Sequence, residues 1–100
     1  MSSLHIVSAS AFQTSALAQA VALAQPDDAI LLIEDGVYGA ANTDANQTLL
    51  AALPEGVSLY VLTEDLAARA LPSRLSRFNE VTYAGFVDLV CQHHNSVSWS

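Results

Sequence analysis

Short runs of β-branched and leucine residues alternate along this chain with segments of helical periodicity. Four runs predict strands, at residues 4–7, 29–33, 58–62 and 80–83. The run at 29–33 is apolar throughout, which is typical of a strand buried on both faces of a sheet. The pattern predicts an α/β fold: one domain over residues 1–100, with a mainly parallel sheet of about four to five strands and helices on both faces.

Helices are predicted between the strands, at residues 12–24, 47–53 and 66–71, the last ending before Pro72. A final helix carries an apolar arc that we expect to face the core, with Asp88 and Gln92 on the opposite side. The arc consists of Phe86, Val87, Leu89 and Val90.

Composition indicates a subunit of a larger assembly. Apolar residues make up 52% of the chain and charged residues 13%, against roughly 25% charged in ordinary soluble domains. A domain with so few charged residues is expected to have part of its surface covered by partner proteins. The net charge of −7 would repel a phosphate backbone, so we do not expect this chain to bind nucleic acid directly. Three arginines, Arg69, Arg74 and Arg77, are interpreted either as a solvated helix and loop or as a docking patch for an acidic partner.

The location is predicted from the single cysteine and the N-terminus. Cys91 has no partner for an intrachain disulfide, which fits a reducing compartment. Neither a signal peptide nor a membrane-spanning segment is indicated. We therefore expect a cytoplasmic protein without membrane contact.

Two acidic pairs, Glu34-Asp35 and Glu64-Asp65, follow the second and third predicted strands. The carboxyl ends of strands form the edge where open α/β sheets bind ligands, and paired carboxylates can hold a divalent cation or divide acid and base roles. Carboxylates at this junction also cap helices. We favour capping.

No cofactor and no metal site is expected. The turn after the first strand, residues 8–11, lacks the glycines of a phosphate-binding loop, and we interpret Ser8 and Ser10 as caps of the first helix. His93 and His94 are adjacent and point in different directions on a helix, so they do not share a metal. His5 is interpreted as a hydrogen-bonded core residue.

Cys91 is the one candidate for catalysis, and we interpret it as a packing residue. It lies near the C-terminus of the final predicted helix, where the helix dipole does not favour a thiolate. His94, three residues later, is the only local feature that favours reactivity.

The order and spacing of several short stretches resemble the TusB/DsrH family, the small subunit of TusBCD and DsrEFH sulfur-relay complexes. Together these stretches span nearly the whole chain. They lie at residues 4–5, 33–38, 59–62, 64–69, 86–90 and 98–99.

The resemblance implies an α/β sandwich that joins TusC-like and TusD-like subunits in a dimer of heterotrimers. There, persulfide sulfur passes through a cysteine of the TusD-like subunit to a TusE-like acceptor for thiolation of a tRNA wobble uridine. Related DsrH proteins carry a cysteine in the first helix, where this chain has Ala20. We therefore predict a non-catalytic subunit whose partner contacts include Glu34, Asp35, Tyr38, Glu64 and Asp65.

Three alternatives remain open at this point. Cys91 could carry persulfide directly, or the chain could be a DsrH-type subunit in sulfur oxidation. The third alternative is a free-standing α/β domain that binds a small acidic or metal ligand.

Overall fold

The computed structural model describes residues 2–71 and 74–100. Within them, five parallel strands form one sheet with the order β4-β3-β2-β1-β5. The strands are β1 (Ser3–Val7), β2 (Ala29–Leu32), β3 (Ser58–Leu62), β4 (Asn79–Val81) and β5 (Asn95–Trp99). The helices are α1 (Ala16–Leu23), α2 (Asp44–Leu50), α3 (Thr63–Arg69) and α4 (Tyr83–Gln92), with a 3₁₀ helix at Glu34–Ala40. The predicted α/β class is confirmed, and in the described ranges no helix is long and apolar enough to cross a bilayer.

Two apolar clusters form because successive residues of a strand point to opposite faces of the sheet. All four residues of β2, the central strand, are buried. One cluster joins strand residues to α1 and α2, and its members include Val7, Leu17, Ile30, Leu32, Leu50 and Val61. The other joins the opposite face to α4 and comprises Leu4, Ala29, Leu31 and Leu89. Both faces of the sheet are therefore covered, as the apolar run at 29–33 predicts.

The edge strand β5 was not among the four predicted strands. It pairs with β1 in parallel, from Ser3 opposite Asn95 to Val7 opposite Trp99. Its sequence is mostly polar because an edge strand is exposed along most of its length. The tail of the chain thus completes the sheet on the side away from β4.

The first helix begins four residues later than predicted, at Ala16. The carbonyl oxygen of Ser10 accepts hydrogen bonds from the backbone N–H groups of Gln13 and Thr14, and its hydroxyl accepts one from Phe12. Thr14 Oγ1 accepts the N–H of Ala16. These local turns compete with the helix, so the predicted boundary at residue 12 is wrong.

Threonine caps set the first residues of two other helices. Thr43 Oγ1 accepts the N–H of Asn46, so α2 begins at residue 44 rather than 47. Thr82 Oγ1 accepts the N–H of Gly85, and this cap separates the end of β4 from the start of α4. The helix α3 also begins three residues early and ends at Arg69, before Ala70 with its left-handed φ of 47°. Pro72, the predicted stop, lies outside the described residues.

Candidate functional site

Residues from the ends of β2 and β3 meet at one edge of the sheet. We call the surface formed by Glu34, Asp35, Tyr38, Glu64 and Asp65 the acidic edge. Arg69 connects two of its members: its Nε lies 2.9 Å from Asp35 Oδ1 and its Nη1 lies 3.8 Å from Asp65 Oδ1. The arginine neutralises part of the charge that the two acidic pairs bring to this edge.

The backbone at Glu34 is strained and is held by Asp65. Glu34 has φ of 49°, a left-handed conformation that side-chain-bearing residues rarely adopt. Its N–H donates to Asp65 Oδ2 across 2.5 Å, which joins the 3₁₀ helix to α3. Just before it, the N–H of Ile33 donates to the carbonyl of Val7. These hydrogen bonds therefore connect the carboxyl ends of β1, β2 and β3 and fix the geometry of the acidic edge.

The capping interpretation of the acidic pairs is only partly right. Both pairs lie in the first turn of a helix, but Ile33 and Leu62, the residues before those helices, provide no side-chain cap. The carboxylates instead accept N–H groups from neighbouring segments: Asp65 accepts from Glu34, and Glu64 Oε2 accepts from Tyr83 at 3.3 Å. These carboxylates therefore hold neighbouring segments together and do not cap the helices in which they lie.

An exposed aromatic side chain lies against the acidic edge. The rings of Phe12 and Tyr38 are 6.0 Å apart and tilted by 45°, and Phe12 is 61% exposed. The predicted helix over residues 12–24 included Phe12, and its pattern did not mark this ring as exposed. Aromatic side chains of this kind are enriched where proteins bind one another.

All three arginines are occupied within the chain. Arg74 lies 3.0 Å from Glu80 Oε2 and donates to the carbonyl of Phe78 at 2.6 Å. Arg77 donates to the carbonyl of Leu50. With Arg69 paired as above, the three cations stabilise local structure, so the alternative of a separate docking patch for an acidic partner gains no support.

The serines after β1 do not cap α1. Ser10 serves the turn that precedes the helix, and Ser8 Oγ donates weakly to the carbonyl of Trp99 at 3.5 Å. The residue before α1, Ser15, makes no side-chain cap either. Our assignment of Ser8 and Ser10 as caps is therefore wrong.

The three histidines have separate environments. His5 is buried, and its Nε2 lies 3.1 Å from Asp28 Oδ2, which agrees with its interpretation as a hydrogen-bonded core residue. His93 Nδ1 donates to the carbonyl of Leu89, and His94 Nδ1 accepts the N–H of Ser2. In the part of the chain that the structure describes, no three metal-ligating side chains converge.

Cys91 is exposed, so its interpretation as a packing residue is wrong. It lies in the last turn of α4 and lines a shallow groove of about 400 Å³. The buried member of that helix is Leu89. The thiol is thus accessible, but it lies on an apolar helix face and not on the acidic edge.

Comparisons with known proteins agree on one family. A family model described as "DsrH like protein" matches residues 9–96. "Protein TusB" of Photorhabdus laumondii is 36% identical over 97 residues, which cover 96% of this chain and 99% of that protein. "Protein TusB" of Yersinia pestis is 35% identical with the same coverage.

A solved structure supports the fold. The crystal structure of the ychN protein from E. coli superimposes with a TM-score of 0.71, covering 98% of this chain and 99% of that one. Its sequence identity is 13%, so the similarity concerns the fold alone.

Proposed function

The chain belongs to the TusB/DsrH family, and from this we propose that it is a non-catalytic subunit of a cytoplasmic sulfur-relay complex for 2-thiolation of tRNA wobble uridine. Its partners would be TusC-like and TusD-like subunits in a dimer of heterotrimers. A TusE-like protein would accept the sulfur. The match over residues 9–96 supports the assignment.

The observation that carries the non-catalytic role is the position of the only thiol. Ala20, at the position where the resemblance places the first-helix cysteine of DsrH proteins, is fully buried in α1. Cys91 follows Tyr83, the first residue of α4, by eight positions, which corresponds to about 12 Å along a helix. The acidic edge, which contacts the start of α4, contains no sulfur nucleophile. In this proposal a partner subunit supplies the persulfide.

The acidic edge would serve as a partner-contact surface. Its geometry is fixed by the Arg69 ion pairs and by the hydrogen bond from Glu34 to Asp65. A preformed surface loses little conformational entropy on binding. The adjacent Phe12 and Tyr38 rings offer an apolar anchor beside the charges. A subunit in this position would enclose the relayed persulfide, which water and free thiols otherwise consume.

The exposure of Cys91 favours a second candidate function, in which this chain carries persulfide itself. The Cys91 thiolate would attack the terminal sulfur of a donor persulfide. The donor S–S bond would break, leaving a persulfide on Cys91 and a thiolate on the donor.

The test measures 2-thiouridine in tRNA of cells that lack this chain. We expect thiolation to fall, and to be restored equally by the wild-type chain and by the Cys91→Ser variant. Restoration by the wild type alone would establish the persulfide-carrying function. Unchanged thiolation with loss of sulfur oxidation would instead assign the chain to the DsrH branch.

A further inference from the structure

An apolar stripe on α4 faces solvent. Its residues recur at helical spacing and line the groove of about 400 Å³. They are Tyr83, Phe86, Val87, Val90 and Cys91. Val87 is 62% exposed and Tyr83 is 55% exposed. We expected the apolar arc of this helix to face the core, but of its members only Leu89 is buried, and Phe86 packs partly against the sheet.

An exposed apolar stripe of this kind is unusual on a surface that contacts only water. A run of apolar side chains along one helix face is typical of a site where another protein packs. Side chains three and four positions apart form the ridges that fit between those of a second helix. The shape of the surface therefore favours a helix as its occupant.

Charge distinguishes between possible occupants. Glu64 lies at the start of the stripe, where its Oε2 accepts the N–H of Tyr83, and Asp88 is exposed beside the stripe on α4. No lysine or arginine occurs between residues 78 and 100, and the three arginines are engaged with Asp35, Glu80 and the carbonyl of Leu50. A second copy would bring a net charge of −7 against these carboxylates and be repelled. A helix with basic residues beside its apolar face would be attracted.

We propose that the α4 stripe binds an amphipathic helix of a TusC-like or TusD-like subunit, with lysine or arginine residues opposite Glu64 and Asp88. This inference rests on the proposed function. One helix stripe is smaller than the roughly 800 Å² per partner that a stable interface buries. The stripe and the acidic edge, which Glu64 joins, would therefore be parts of one larger interface.

The test measures binding of the purified TusC-like and TusD-like subunits of the same organism to variants of this chain. Val87→Asp places a charge in the middle of the stripe and should weaken binding about ten-fold or more. Leu23→Asp is the matched control, because Leu23 is 57% exposed on α1. It should bind like the wild type. Asp88→Lys should weaken binding most at low salt, where charge attraction is strongest.

Cys91 supplies an independent readout because it is the only cysteine of the chain. Its alkylation, followed by the mass of this chain, should slow about ten-fold or more when the partner subunits cover the stripe. Circular dichroism should show that Val87→Asp is folded, because Val87 is exposed.

The outcomes separate the two proposals. Absence of any binding by the wild-type chain would overturn both. Suppose that the wild-type chain binds the partner subunits but that they do not slow alkylation of Cys91, and that Val87→Asp binds as tightly as Leu23→Asp. That result would overturn the stripe proposal alone. Protection of Cys91 in concentrated solutions of this chain without partners would show a second copy as the occupant and likewise overturn it.

Discussion

The indole N–H of Trp99 donates a hydrogen bond to Nδ1 of His5 across 3.2 Å, which joins the last strand to the first. An indole N–H can only donate, so Nδ1 is the acceptor and His5 carries its proton on Nε2. That proton is donated to Asp28 Oδ2 at 3.1 Å. Hydrogen bonds from the partly buried Trp99 through the buried His5 and Asp28 thus fix the exposed strand β5 to the interior.

Trp99→Phe should destabilise the fold by about 1–3 kcal/mol, because it removes the donor and leaves a buried ring nitrogen unpaired. Urea unfolding followed by far-UV circular dichroism measures the change. Ser98→Ala, on the neighbouring exposed position of β5, is the control and should be neutral. Equal stability of Trp99→Phe and wild type would show that the hydrogen bond does not hold β5.

Asp28 should make stability depend on pH in the acid range. Burial alone would raise the pKa of Asp28, but hydrogen bonds from the N–H groups of Gln25 and Ser3 and from His5 outweigh burial and lower its pKa from 3.8. A lowered pKa stabilises the folded state above the unfolded value, and this contribution is lost as the pH falls through the folded value.

Asp28→Asn should therefore lower stability at neutral pH and flatten the loss of stability below about pH 4. Urea midpoints measured from pH 2.5 to 7 test this. Asp27→Asn changes an exposed neighbour and should keep the wild-type profile. If Asp28→Asn retained the full acid dependence, another group would be responsible.

Gly36 should not tolerate a side chain. A Cβ at this position would lie 2.0 Å from the carbonyl oxygen of Val7 and 2.7 Å from its carbonyl carbon, and backbone atoms cannot move aside cheaply. We expect Gly36→Ala to cost about 2 kcal/mol or more in unfolding free energy. Gly39→Ala is the comparison, because its closest contact is the flexible end of Leu17. A larger loss at Gly39 would contradict the close approach at Gly36.

Asp35→Ala and Tyr38→Ala should weaken complex formation about ten-fold and slow sulfur relay, because both residues lie on the acidic edge. The loss of the Asp35–Arg69 pair should change stability by less than about 1 kcal/mol, since Asp35 is exposed. Glu55→Ala removes an exposed carboxylate before β3, at the other end of the sheet, and should bind normally. Unchanged complex formation and relay in both edge variants would remove the acidic edge as a contact surface.

The central strands and the fold class were predictable because the apolar runs at 29–33 and 58–62 reflect burial on both faces of the sheet. β5 was not, since its residues gain strand structure only by pairing with β1. The start of α1 was also missed, because short-range hydrogen bonds of Ser10 and Thr14 displaced an apparently continuous helical pattern.

The candidate site was predictable in position but not in its connections. The carboxyl ends of parallel strands lie at one edge, which placed the acidic pairs correctly. The ion pairs of Arg69 with Asp35 and Asp65 depend on how α3 packs against the 3₁₀ helix, and no local sequence pattern encodes that packing. The outward stripe on α4 was missed for a related reason: an apolar arc indicates burial, but not whether the chain itself or a partner provides it.

The central claim is that this chain is one subunit of a sulfur-relay complex, and its native mass tests that claim most directly. The mass would be measured by native mass spectrometry for the chain alone and after mixing with its TusC-like and TusD-like subunits. We predict a single complex that contains two copies of each of the three chains. A stable monomer that ignores both subunits would contradict the claim.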